Sequence, residues 1–202
     1  MSRTVTVTGS GSARAVPDSA VVRLAAVARA ASVREAFSEV DSTVALLTET
    51  AQGLVEAHRI GSSDLSIWPT TDRDNRPDGF ECSHALEIRC ASLEGASALL
   101  AAVVETVGDR VRVDGVSLEV SDTSTAHTQA REAAYADALT RATELATLSG
   151  SGLGEVLSIT EGGSHPGGPV AFAASAKADF QPGERSTSLA LTVTFALTDQ
   201  TP

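Results

Sequence analysis

The sequence predicts an α+β fold in which mostly antiparallel sheets carry three packed helices. Three observations predict it: runs of alternating apolar and polar residues, three segments with an apolar residue every three or four positions, and no regular alternation of single strands and helices. The predicted order is β-β-α-β-β-α-β-α-β-β. Its central β-α-β-β-α-β part, about residues 18–120, has the order of a split βαβ unit.

Two alternating runs, at about residues 4–8 and 18–30, open the chain. We interpret them as an antiparallel hairpin, with Gly9 and Gly11 loosening the connection. Pro17 has no N–H group and therefore suits the start of the second strand. Asp18 is predicted to cap the turn with its side chain.

The next segment predicts a long amphipathic helix from Ser32 to near Ile60, with Ser32 and Glu35 as a capping box. Residues 64–70 predict a short strand. Because this strand contains Pro69, which cannot donate a ladder hydrogen bond, we expect it either to lie at a sheet edge or to end at Pro69.

Cys82 and Cys90 belong to one strand-like run, residues 80–90, in which every even position except His84 is apolar. Eight residues of strand span roughly 26 Å, whereas a disulfide needs Cα atoms within about 7 Å. We therefore expect two reduced, buried thiols, with a redox or metal role as the lesser alternative. His84 is expected to be a hydrogen-bonded core or interface residue rather than the partner of a nucleophilic Cys82.

A second helix is predicted at residues 93–107, closed by Gly108. In the following strand, residues 111–120, the apolar positions change parity at Asp114 and Gly115. A strand that changes face at a glycine predicts a β-bulge.

The third helix, about residues 123–149, has an inner stripe that is mostly alanine. The predicted stripe comprises Ala126, Ala130, Ala133, Ala134, Ala138, Ala142, Leu145 and Leu148. Strands are predicted at residues 153–161 and 186–198. Between them, about residues 162–184 form a long loop rich in Gly, Pro and Ala, and we expect residues 1–202 to form a single domain.

Charge and hydropathy exclude several classes of partner. The formal net charge of −11 disfavours nucleic acid and anionic membrane surfaces, which require clustered Lys and Arg. No apolar run approaches the roughly 20 residues that a membrane span needs. Since Thr4 follows the first residues directly, without a secretory hydrophobic segment, we expect a cytoplasmic protein.

Five stretches in series resemble the SIMPL-domain family and cover nearly the whole chain. They are VTVTGSGSARAVPDSAVV near the start, Gly79-Phe80, Val113-Asp114-Gly115-Val116, the alanine-rich helix leading into Gly152-Leu153-Gly154-Glu155-Val156, and Gln181-Pro182-Gly183-Glu184. The resemblance implies a family that includes a periplasmic immunogenic protein forming ring-like oligomers, an envelope protein linked to oxidative stress, and an animal protein that binds a signalling kinase. It supplies no catalytic residues.

The residues themselves predict no enzyme, cofactor or metal site. The four histidines lack metal-ligand spacing, and the Gly9-Ser10-Gly11-Ser12 stretch lacks the Lys of a phosphate loop. Asp72 and Asp74 are expected to be solvated surface, with a cation site as the lesser alternative.

Two functional hypotheses follow. The leading one is a non-enzymatic, homo-oligomeric assembly or adaptor protein with a stress-related role, acting through protein–protein contacts. The alternative is a small-molecule-binding protein or weak enzyme whose pocket lies under residues 162–183 and uses His165 and carboxylates such as Asp179. Trp68, the single tryptophan, is expected to pack in the core, with an exposed partner anchor as its alternative role.

Overall fold

The structure, a computed structural model, describes residues 3–162, 165 and 166, and 183–199. It confirms the α+β class, and every strand pair in these residues is antiparallel. In chain order the elements are β1 Thr4–Ala15, β2 Ser19–Ala30, α1 Val33–Gln52, β3 Ile60–Thr71, β4 Pro77–Cys90, α2 Leu93–Val107, β5 Val111–Glu119, α3 Ser124–Leu148, β6 Ser151–Glu161, β7 His165–Pro166 and β8 Arg185–Asp199.

The described residues divide into two compact units. Residues 3–16, 122–162, 165 and 166, and 183–199 belong to the first unit, and residues 17–121 to the second. Most of the predicted loop at about 162–184 lies outside the described residues. The single-domain organisation of residues 1–202 stays a prediction.

The second unit contains the predicted split βαβ arrangement. Its sheet has the strand order β3-β4-β2-β5, so that β4 lies between the two strands that α1 connects. Helices α1 and α2 pack on one face of this sheet through aliphatic side chains, among them Val40, Leu47, Leu99 and Val103, which are at most 1% exposed. The local alternation of β4 therefore predicted the correct buried face.

Local signals fixed several element ends in this unit. The Ser32 hydroxyl accepts a hydrogen bond from the Glu35 N–H at 3.3 Å, as the predicted cap requires. Helix α2 ends at Val107, and Gly108 follows with φ of +64°, a conformation that favours glycine. Helix α1 is shorter than predicted: it ends at Gln52, where the backbone turns before residues 57–59 form a short 3-10 turn.

The predicted bulge in β5 is confirmed. Arg23 of β2 lies opposite Gly115, but the next residue, Leu24, lies opposite Val113. Asp114 is therefore the extra residue, and the parity of the apolar positions changes there.

Asp18 connects the two ends of the second unit. Its carboxylate accepts hydrogen bonds from the N–H of Ser121 at 2.7 Å and from the Ser121 hydroxyl at 2.5 Å. These bonds hold the pKa of Asp18 below its ordinary value of 3.8. The predicted role of Asp18 as the cap of a turn between the first two strands is therefore wrong: it caps the exit of β5, through a residue far along the chain.

The predicted hairpin of the first two strands is wrong. β1 pairs with β8, from Thr4 opposite Ala196 to Ala15 opposite Arg185, in a sheet of order β1-β8-β6 that β7 joins through β8. β2 instead pairs with β4 and β5. Alternation identifies a strand but not its partner. The apolar residues of β1 match those of β8, whereas β2 is buried on both faces and suits the middle of a sheet.

In the first unit, α3 lies directly on the backbone of β1. A Cβ atom added at Gly9 would come within 3.0 Å of the carbonyl oxygen of Ala134 and the nitrogen of Ala138. One added at Gly11 would meet the carbonyl oxygen of Ala130 in the same way. The Gly-x-Gly pattern is therefore explained by close helix packing, which only glycine permits.

The buried stripe of α3 is narrower than predicted. It consists of alanines at every fourth position, Ala126, Ala130, Ala134, Ala138, Ala142 and Ala146. Ala133 is exposed, and Leu145 and Leu148 are 46% and 84% exposed, so their predicted burial is wrong. The backbones of α3 and β1 meet directly, so their contact has no room for larger side chains. Leu145 and Leu148 therefore lie outside it.

Candidate interaction surface

Trp68 lies on the outer face of β3, the face opposite to α1 and α2. Its neighbour Ile67 packs against the helix-covered core, so that the period of two in a strand points Trp68 outwards. The side chain is 62% exposed. The predicted burial of Trp68 in the core is wrong.

Charged side chains adjoin Trp68 on the same face. Glu81 of β4 lies directly opposite Trp68, and Arg29 of β2 lies directly opposite Glu81. Residues opposite each other in antiparallel strands project from the same face. Arg29 donates from Nε to Oε2 of Glu81 at 2.6 Å, and 73% of the arginine side chain stays exposed.

A second arginine extends this surface onto β5. Arg112 lies opposite Ala25 and therefore on the outer face, like Arg29. It donates from Nε to the bulge residue Asp114 at 2.5 Å. This hydrogen bond and the nearby charges of Asp114 and Glu81 raise the pKa of Arg112 above its ordinary value. Trp68, Glu81, Arg29, Arg112 and Asp114 are called the tryptophan patch below.

The edge position of β3 is confirmed: in the described residues its strand partner is β4. The strand is longer than predicted, because it begins at Ile60 and continues past Pro69 to Thr71. Asp64 and Pro69 both lie on this strand. A charge and a missing N–H donor are common devices that discourage another strand from pairing with an edge. Trp68 is thus exposed beside an edge that is poorly suited to strand addition.

The other two candidate residues fall mostly outside the described structure. The backbone of His165 belongs to β7 and pairs with Ser188, while its side chain is not among the described features. Asp179 and the predicted pocket under residues 162–183 lie outside the described residues.

Cys82 and Cys90 are free and buried in the single strand β4, as predicted. Burial raises the pKa of both thiols and keeps them protonated at neutral pH, which disfavours nucleophilic attack. Nε2 of His84 lies 2.8 Å from the hydroxyl oxygen of Ser62, which is hydrogen-bond distance. A hydrogen-bonded histidine at the β3–β4 contact matches the prediction for His84.

The described residues offer neither a metal site nor a membrane-spanning helix. They contain no group of three His, Cys, Asp or Glu residues placed to hold a metal ion. No helix among them is both long and apolar enough to cross a bilayer.

The neighbours of Trp68 were missed at the level of sequence, although a signal for them existed. The odd positions of β4 are mostly polar, including Glu81, and the odd positions of β2 include Arg23 and Arg29. Polar residues at the odd positions indicate that this side of each strand faces solvent. Only the strand order and register show that Trp68, Glu81 and Arg29 lie in one row.

Known proteins resemble this chain along most of its length. A family model described as SIMPL, a protein of unknown function (DUF541), matches residues 5–195. Proteins named "26 kDa periplasmic immunogenic protein" from Brucella melitensis biotype 1 and Brucella abortus strain S19 are each 28% identical over 166 residues. The matched region covers 78% of this chain and 66% of each relative, so the chain spans just under two thirds of their length.

Proposed function

This chain belongs to the SIMPL family, and on that premise we propose that it is a non-enzymatic assembly or adaptor protein that binds a second copy through the tryptophan patch. The observation that carries the proposal is the exposure of Trp68 on a sheet face that also presents Arg29 and Arg112. Tryptophan and arginine are the residues most enriched among those that dominate the energy of protein interfaces.

Burying the exposed part of Trp68 in an interface contributes a large favourable free energy of association. An aromatic side chain buries about 150–250 Å² in an interface, and apolar burial stabilises by about 25 cal/mol per Å². Because 62% of the side chain is exposed, covering Trp68 contributes about 2–4 kcal/mol. One such anchor, surrounded by weaker contacts, is typical of an interface core.

The charges of the patch suit self-association. Arg29 and Arg112 are exposed cations, and Glu81 and Asp114 are anions on the same surface. A two-fold interface brings one surface against its own copy, so that it needs both signs of charge. Asp64 and Pro69 discourage another strand from pairing with the edge of β3. The proposed contact therefore uses the face of the sheet. It forms closed oligomers and not polymers that grow by adding strand to strand.

Trp68→Ala tests the proposal. We expect the wild-type protein to form oligomers in sedimentation velocity and Trp68→Ala to raise the dissociation constant about 30-fold, which corresponds to about 2 kcal/mol. The matched control is Leu148→Ala, which removes an apolar side chain that is 84% exposed in the first unit. It should leave the dissociation constant unchanged.

The single tryptophan provides a second readout. Its emission should shift to shorter wavelength as the wild-type protein is concentrated, because association removes the indole from water. A protein that stays monomeric at all concentrations, or a Trp68→Ala variant that associates like the wild type, would contradict the proposal.

Location and physiological role are finer parts of the same proposal. We propose a cytoplasmic location and infer a stress-related role from the family resemblance, although the relatives themselves are named periplasmic. Cell fractionation and the survival of a deletion strain under oxidant check these two points. Recovery in the periplasmic fraction, or unchanged survival, would contradict them.

A further inference from the structure

A cleft of about 450 Å³ lies in the second unit where β2 extends beyond β5. The pairs between β2 and β4 continue to Ala30, whereas those between β2 and β5 stop at Ala26, opposite Val111. Residues 27–30 of β2 thus have β4 on one side and, within the described chain, no strand on the other. The volume is within the range of ligand pockets in proteins.

Among the described residues, the side of residues 27–30 that faces away from β4 is an open stretch of sheet edge. Four residues of strand span about 13 Å, and an open edge presents backbone N–H and C=O groups that can pair with an added strand. Residues of β2 and α1 line the two sides of the cleft: Val27, Ala28 and Arg29 on the strand, and Ser38, Glu39, Ser42 and Thr43 on the helix. An extended peptide is the ligand whose main chain matches such an edge.

Arg110 closes the end of the cleft next to β5. It immediately precedes Val111, and the described residues offer its guanidinium no ion pair or hydrogen bond. By contrast, Arg29 on the strand side already binds Glu81. An unpaired arginine at the end of an open strand edge is a receptor for a carboxylate, which it can bind through two parallel hydrogen bonds.

We propose that this cleft binds the C-terminal end of an extended peptide by strand addition to residues 27–30, with the terminal carboxylate on Arg110. Because Arg110 lies beside Val27, the peptide runs from Ala30 towards Val27, antiparallel to β2. It therefore continues the line and the direction of β5. The ligand chemistry is a free carboxyl terminus on a β-strand. The cleft shares Arg29 with the tryptophan patch and differs from it in recognising a peptide main chain.

The experiment starts with peptide display on the full chain. Randomised heptapeptides with free C-termini are selected for binding, and the best one is synthesised as a fluorescein-labelled acid and as its C-terminal amide. We expect the amide to bind at least about tenfold more weakly in fluorescence anisotropy, the change that one lost carboxylate pairing of about 1.4 kcal/mol produces. Arg110→Gln should weaken the acid form by a similar factor.

Two further variants localise the binding. Ser42→Trp fills the cleft from an exposed position of α1 and should abolish binding, whereas Arg34→Gln removes an exposed arginine of the same helix that does not line the cleft and should have no effect. Trp68→Ala should bind the peptide like the wild type, which keeps this test independent of self-association. Failure to select any peptide, equal binding of acid and amide, or full binding by Arg110→Gln or Ser42→Trp would overturn the proposal.

Discussion

The two units place helices on antiparallel sheets in opposite ways. In the first unit, α3 contributes only alanines to its buried stripe and meets the glycine backbone of β1. In the second, α1 and α2 contribute Val and Leu side chains that fill the space above the sheet, such as Val40 and Leu99. The contact of α3 with β1 requires that large side chains be absent, whereas the contacts of α1 and α2 with their sheet require large side chains that fill the space.

This difference predicts opposite sensitivities. A contact between backbones has no room for an added carbon atom, but little apolar area is lost when an alanine is changed to glycine. A contact between large side chains tolerates rearrangement, but it leaves a cavity when a side chain is shortened. The first unit should therefore be sensitive to enlargement and the second to truncation.

Gly9→Val should have the largest effect. The new Cβ would lie within 3.0 Å of backbone atoms of α3, which cannot move without displacing the helix. We expect the free energy of unfolding of the first unit to fall by more than about 3 kcal/mol. Tyr135, the only tyrosine, lies on α3, so its emission in a Trp68→Phe background reports this unit during urea unfolding.

The matched control for Gly9→Val is Gly61→Val. Gly61 also lies on a strand, but a Cβ atom there would meet nothing within 4 Å. Its unfolding free energy should change by less than about 0.5 kcal/mol. Equal stabilities of the two variants would disprove the close contact between α3 and β1.

Leu99→Ala should destabilise the second unit by about 3 kcal/mol, because the truncation opens a cavity under α2 where Leu99 is fully buried. Trp68 emission reports this unit during urea unfolding. Val104→Ala on the same helix, where the side chain is 57% exposed, serves as the control. A loss as large in Val104→Ala as in Leu99→Ala would show that the helix face is assigned wrongly.

Asp137→Asn should have the smallest effect and a pH dependence. The Asp137 carboxylate accepts from the N–H of Ser10 at 2.8 Å and binds Arg141 at 3.0 Å, and these contacts hold its pKa below the ordinary value of 3.8. Because the folded pKa is lowered, the stabilisation is fully present above 3.8 and disappears as pH falls through the folded pKa.

The measurement is the urea midpoint of the first unit from neutral pH into the acid range. Asp137→Asn should lower the midpoint at neutral pH and flatten its fall below the ordinary aspartate pKa. Glu132→Gln, an exposed carboxylate change on the same helix, should leave the wild-type profile intact. Parallel profiles for the wild type and Asp137→Asn would contradict the assigned role of Asp137.

The features that the sequence predicted correctly depend on neighbours along the chain. The capping hydroxyl of Ser32, the end of α2 at Gly108 and the bulge at Asp114 are each determined within a few residues. The edge position of β3 followed from Pro69 alone, because proline cannot serve an inner strand. Local chemistry was sufficient in all of these cases.

The features that were missed depend on partners far along the chain. Alternation in β1 indicated a strand but could not identify β8 as its partner. Parity showed that Trp68 and Ile67 point to opposite faces, yet it could not show which face the helices cover. Leu148 has helical spacing from the alanines, and only the direct backbone contact of α3 explains why it is excluded from the core.

The pairing of β1 with β8 also sets an order of events during translation. Residues 17–121 carry every strand of the second sheet, so this sheet can assemble while the ribosome is still adding α3. β1 is made first but must wait until residues 185–199 have left the exit tunnel, because Thr4 pairs with Ala196. The emerging β1 therefore spends most of synthesis as a single unpaired strand, and its two glycines, Gly9 and Gly11, which disfavour pairing with other strands, lower the chance that it aggregates during this wait.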